Sequence, residues 1–239
     1  MRLATRRRRA SGLRSEHLVW TWQSASLVLG YPDDDLRARL PLVRRAVDEL
    51  PPSVGEPLGA TLTHLEQVDW DEAHAAYVET FDTRRRHNLF LTYFAHGDTR
   101  KRGLALLRFK QTYLDAGFVP DDSELPDHLC MVLEFAATVD ADAGRQLLLD
   151  HRAGLELLRI SLAEAGSPWG GAVAAVCATL PQLGDDEWDA VRRLAAEGPP
   201  EEEVGLTPYA TPGFDPGAAG PEPASGPIPL PMPSFPGAR

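Results

Sequence analysis

The chain has 239 residues, with 24 Lys and Arg against 35 Asp and Glu and a net charge of −11. So acidic a balance excludes general affinity for nucleic acid, which depends on neutralising phosphates, and no apolar run approaches the roughly 18 residues of a membrane span. It is compatible with a cationic peptide partner met through complementary potentials.

Charge divides the chain into three pieces. Residues 1–15 carry six Arg and no acid, and read as a flexible Arg-rich arm. Residues 198–239 hold 12 Pro and 7 Gly with a charge of −4, a composition too poor in apolar surface to offset ordering entropy, so this tail is expected to be disordered. Residues 16–197 therefore carry −13 and form one domain with one core. Arg6 to Arg9 before a partly apolar stretch resembles an export signal, but Thr21, Gln23, Ser24 and Ser26 interrupt that stretch at helical spacing. It reads as an arm ahead of a core helix. Cys130 and Cys177 are too few for a disulfide scaffold and lack a CxxC spacing, which points to a reducing, cytoplasmic setting.

In chain order, Leu18, Val19, Trp22, Ala25, Ser26 and Leu29 follow helix-face intervals up to Gly30 and Pro32. Leu36, Leu40, Val43, Val47 and Leu50 continue a stripe that Pro41 should kink or divide. Leu58, Leu62, Leu65 and Val68 form a third run, and Asp69 is a suitable N-cap for a fourth with Ala73, Tyr77 and Phe81 on its apolar face. The segment Leu89 to Phe94 has strand propensity, but with no partner strand legible it is read as helical. After the turn at Gly97-Asp98, a stripe of Leu104, Leu107, Gln111 and Leu114 ends at Gly117. Pro126 to Leu129 opens a helix with Leu129, Leu133 and Ala136/Ala137 as its buried stripe. One long helix over residues 142–165 and two short ones near 168–179 and 185–197 complete an all-α bundle with short connections.

Two groups of side chains could carry function. Asp127 and Glu134 lie seven residues apart, close to two helical turns, so both carboxylates would project to one side with Met131 between them. They could receive a basic helix; equally, Asp127 could cap the helix and Glu134 pair with an Arg. His128 beside Asp127 invites an acid–base reading, but neighbours on a helix point about 100° apart. No metal-spaced His pair or nucleophile elbow accompanies it, and no catalytic residue or metal ligand is assigned. From Arg84 to Lys110 there are eight Lys and Arg and one acid, Asp98. The outer members Arg84, Arg85, Arg86, Arg100, Lys101 and Arg102 form either an anion or partner contact or a solvated face.

Certain runs resemble a known family. They are Tyr77-Val-Glu-Thr-Phe-Asp82 with the Arg triplet after it, Leu91-Thr-Tyr93, His96-Gly-Asp-Thr-Arg-Lys-Arg-Gly103, and Glu124-Leu-Pro-Asp-His-Leu129 with Leu133-Glu-Phe135. Together they are similar to the assembly chaperones of respiratory nitrate reductase, the NarJ type, within the TorD-like chaperones of molybdoenzymes. The resemblance runs from about Trp20 to Leu162 and leaves out the arm and the tail. It implies an all-helical, cytoplasmic, non-catalytic protein without a cofactor of its own. Such a protein binds the N-terminal segment of the apo catalytic subunit, promotes insertion of the molybdenum cofactor, which it could touch transiently, and is absent from the mature enzyme. A chaperone of this type for a dimethyl sulfoxide or trimethylamine N-oxide reductase is the alternative, and a nucleotide hydrolase using Asp127 and His128 is the reading from another class. Taken with the residue pattern, the expected client contacts are Asp127, His128, Met131, Glu134, Tyr77 and Phe81.

Overall fold

The first helix, α1 (Ser15–Leu29), is the axis of the bundle. It buries Thr21, Trp22, Ser24, Ala25, Ser26, Val28 and Leu29, which together occupy most of its circumference. A helix buried over so wide an arc must be flanked on several sides, and α1 packs against four others. These are α2 (Asp34–Asp48), α3 (Pro52–Gln67), α7 (Leu129–Thr138) and α10 (Gly170–Thr179). The computed structural model of the chain describes residues 13–120 and 124–198. All of them fall in one compact unit. The Arg-rich arm, apart from its last three residues, and the Pro/Gly tail from residue 199 lie outside the described residues.

The remaining elements follow in order. They are α4 (Trp70–Tyr77), a π turn (Val78–Asp82), a 3-10 turn (Arg85–His87), α5 (Tyr93–His96), α6 (Arg100–Asp115), α8 (Ala141–Asp150), α9 (Arg152–Glu164) and α11 (Asp185–Glu197). The described residues form an all-α fold with no strand, as the TorD-like type requires; their one β-bridge pairs Phe90 with His128.

Close helix approach depends on small residues at two points. A Cβ on Gly171 would lie 2.1 Å from the Pro57 carbonyl oxygen, so only glycine allows α10 to meet α3. There the Thr61 hydroxyl donates to Pro168 O (2.7 Å) and accepts from Ala172 N (3.1 Å). Gly144 sits equally hard against Ala136 where α8 meets α7. Between α9 and α10, buried Arg152 and Glu156 pair at 2.5 Å, and Arg152 also donates to Cys177 O at 3.1 Å.

Several sequence expectations are corrected. Pro41 does not divide α2, which runs unbroken through it. Pro41 and Arg37 are both exposed, so water can satisfy the carbonyl that the proline leaves unbonded. The expected single helix over 142–165 is two, because His151 leaves helical geometry (φ −109°, ψ 20°) and separates α8 from α9. The stripe of Leu104, Leu107 and Leu114 faces outward, at 69, 61 and 51 % exposure, while Phe109 and Tyr113 are the buried side of α6. The helix opened by Pro126 begins only at Leu129. Leu89 to Leu91 are not helical; they are joined to residues 127–129, the partner that the sequence did not reveal.

Candidate functional site

Two motifs that lie far apart in sequence meet through a buried carboxylate. Leu91 N donates to Asp127 O at 3.0 Å and Leu129 N to Leu89 O at 2.8 Å, which clasps the segment after the Arg triplet to the start of α7. The Asp127 side chain has no exposed surface. Its Oδ2 accepts from Thr92 N (3.1 Å) and from the Thr92 hydroxyl (2.5 Å). Arg102 comes down from α6, with Nη2 3.7 Å from the same oxygen and Nε donating to Thr92 Oγ1 at 3.2 Å. Its guanidinium also pairs with Asp98 (3.1 Å) and lies 5.2 Å over the Phe90 ring. Tyr113 completes the clasp by donating to Pro126 O at 2.6 Å. Thr92, the residue that holds Asp127 most directly, lies in the Leu91-Thr-Tyr93 run, but a lone threonine carries no spacing signal that would assign it this contact.

In front of the clasp lies a cleft of about 540 Å³. Its floor is apolar and aromatic: Tyr77 and Phe81 from one wall, Phe90 from the clasp, and Met131 and His128 from the other. The π turn after α4 carries Phe81 to within 4.8 Å of the Tyr77 ring, and both rings stand edge-on to buried Trp169. Tyr77 is fixed further by donating to Leu29 O (3.0 Å), and burial pushes its hydroxyl well above the ordinary range, so it is a neutral donor. Tyr31 closes the end of the cleft, edge-on to Tyr77 at 5.4 Å.

The rim is acidic. Asp82, Glu124 and Glu134 all line the cleft and all are exposed, and no Lys or Arg is among its lining residues. Burial lowers the pKa of His128 despite the opposing pull of Glu124 and Asp127, so at neutral pH the ring adds no positive charge. Burial likewise raises the Cys130 thiol far above its usual range, with Glu124 and Glu134 adding to the effect, which leaves it an inert wall residue. Among the described residues, no three His, Cys, Asp or Glu side chains gather in a way that could hold a metal ion.

The structure thus brings together Tyr77, Phe81, His128, Met131 and Glu134 of the expected contact set. Asp127 is not with them. The expectation that Asp127 and Glu134 share a helix face does not hold, because α7 starts two residues after Asp127, whose side chain turns into the protein. The cations are also dispersed. Arg84 pairs with Glu79 at 3.0 Å. Arg85 and Arg86 border a second cleft, of about 800 Å³, beside Tyr93, Leu157 and Ile160. Arg100 and Lys101 are exposed on α6, and Arg102 turns inward to Asp127.

Residues 47–175, just over half the chain, match the nitrate reductase delta subunit family. The chain is 41 % identical over 170 residues to the nitrate reductase-like protein NarX of Mycobacterium tuberculosis, covering 71 % of this chain but 26 % of that protein. It is 32 % identical over 168 residues to the probable nitrate reductase molybdenum cofactor assembly chaperone NarJ of Bacillus subtilis, covering 69 % of this chain and 90 % of the relative. Against the assembly chaperone NarJ of Escherichia coli it is 32 % identical over 145 residues, 59 % of this chain and 61 % of that one. The resemblance carried by the clasp and cleft motifs is therefore one of descent: the chain belongs to the nitrate reductase delta subunit family, alongside the NarJ-type chaperones.

Proposed function

We propose that the chain is an assembly chaperone for a respiratory nitrate reductase. It holds the apo catalytic subunit by an N-terminal segment while the molybdenum cofactor is inserted, and is absent from the finished enzyme. The observation that carries this reading is the cleft itself, an aromatic and thioether floor under three carboxylates with no Lys or Arg in the lining. An amphipathic segment with a basic side suits it: apolar side chains enter the floor while cations meet the rim. Met131 can reshape to whatever side chain arrives. The protein acts by binding, in the cytoplasm, and the molybdenum cofactor is cargo of its client rather than a resident group.

Calorimetric titration with a peptide from the N-terminal segment of the nitrate reductase catalytic subunit tests this. Glu124→Gln with Glu134→Gln should weaken binding by roughly tenfold, at about 0.5–1 kcal/mol for each rim charge. Tyr77→Phe should leave binding nearly unchanged, since its hydroxyl is spent on Leu29. Equal affinity in the doubly substituted protein, with its helicity intact, would remove the cleft from the function. Tight binding of the matching segment of a different molybdoenzyme, and none of this one, would move the chaperone to that client.

A further inference from the structure

Helix α6 presents an outer face that the fold leaves uncovered and the cleft does not use. α6 (Arg100–Asp115) contains five cations, Arg100, Lys101, Arg102, Arg108 and Lys110, against a single acid, Asp115 at its last position, in a chain whose net charge is −11. Arg102 turns inward to Asp127, but the other four are exposed. Leu104, Leu107 and Leu114, the most exposed leucines of the helix, share this outer side. At 100° per residue the three leucines fall within about 80° of one another. Lys101 and Arg108 flank them on one side, Lys110 on the other, and Arg100 lies at the N-terminal end of the stripe. The inner side, meanwhile, is anchored by buried Phe109 and Tyr113, so the helix cannot roll to hide its leucines.

We propose that this face is a docking surface for an anionic lipid bilayer, with α6 lying in the plane of the interface. Leucines flanked on both sides by long cationic side chains are the arrangement of an interfacial helix, in which apolar groups enter the acyl boundary and the cations reach the headgroup phosphates. The face is a convex ridge, and a fluid interface accepts a ridge without a matching groove. A protein partner would be expected to meet aromatic anchors, and would leave Lys depleted from the contact centre. The outer face carries two lysines among its four exposed cations and no aromatic residue. Charge fixes the orientation as well: α6 is drawn to an anionic surface while the acidic remainder of the protein is repelled by it. Three leucines and a few cations give weak, reversible binding, far from that of a spanning helix, and no described helix is long and apolar enough to cross a membrane.

Flotation with vesicles of phosphatidylcholine alone, or of phosphatidylcholine and phosphatidylglycerol in equal parts, tests the assignment on the full chain. The wild type should float with the anionic vesicles only, and raised salt should release it. Leu104→Gln with Leu107→Gln, and separately Lys101→Glu with Arg108→Glu, should each lower the bound fraction by about tenfold or more. Circular dichroism should show unchanged helicity, since all four side chains are exposed. Arg39→Glu, at an exposed position of α2, should bind as the wild type does. Equal binding to both vesicle types, binding retained in either double variant, or an equal loss in Arg39→Glu would overturn the proposal. So would wild-type indifference to vesicles combined with leucine-dependent self-association in sedimentation, or with leucine-dependent retention of another protein; the face would then belong to a second copy or to that partner.

Discussion

A carboxylate with no exposed surface must be compensated inside the protein, and Asp127 is compensated by groups from the other end of the clasp. Its Oδ2 is held by two donors of Thr92 and lies near Arg102, which in turn is steadied by Asp98 and Phe90. Two runs that look like separate recognition motifs in the sequence are thus two halves of one joint, and the charges of Asp127 and Arg102 serve the scaffold that shapes the cleft. Removing the carboxylate leaves the Thr92 N–H and hydroxyl, both buried, without their shared acceptor, at about 1–3 kcal/mol for each group. Asp127→Ala should therefore lower the free energy of unfolding by the two costs together, read from urea denaturation. Thr92→Val, which keeps the shape and the backbone donor but removes the shared hydroxyl, should cost about 1–3 kcal/mol. A loss of peptide affinity in Asp127→Ala at unchanged stability would contradict this and return Asp127 to the binding surface.

At the scale of elements, α6 shows what hydrophobic spacing leaves undecided. Its sequence offers two apolar stripes. One is Leu104, Leu107 and Leu114; the other centres on Phe109 and Tyr113. The second is buried because Tyr113 and Arg102 have partners in the clasp, a tertiary fact with no local signature. Leu107→Gln should change stability by no more than about 0.5 kcal/mol, whereas Phe109→Ala should cost about 3–5 kcal/mol. The reverse order would place the leucine stripe inside. Elements set by strong local chemistry were legible: Asp69 caps α4 through Asp71 N at 2.9 Å, Gly117 (φ 76°) follows α6, and α11 spans residues 185–197 as its pattern suggests. The bridge at Phe90 was not legible, since it depends on His128 far away in the chain, and the break at His151 has no Gly or Pro to mark it. The cleft was half legible. Tyr77, Phe81, Met131 and Glu134 follow from helical periodicity, whereas Tyr31, Asp82 and Glu124 reach it through turns.

For the whole molecule, acidification has two consequences of opposite sign. Protonation reduces the self-repulsion of a chain at −11, which favours the folded state, but that contribution is long-range and largely screened at about 0.15 M salt, where the Debye length is about 8 Å. The histidines oppose it. His64, His128 and His151 all have pKa values lowered from 6.5, with burial the leading cause in each. Glu124 and Asp127 near His128 only partly offset this, as do Asp150 and Asp127 near His151, where His96 pulls the other way. A depressed imidazole pKa means that the unfolded chain binds protons that the folded chain refuses. Stability therefore rises with pH across the window between the folded values and the ordinary value of 6.5, and falls as pH drops through it. The urea midpoint at physiological salt should thus be flat above neutrality and decline from about pH 6.5 toward 5.5, before carboxylate protonation dominates. Replacing His151, which is packed 5.0 Å from the Phe109 ring, with Gln should shallow that decline even if it lowers the midpoint overall. A midpoint that holds or rises over the same interval would mean that self-repulsion outweighs the buried imidazoles.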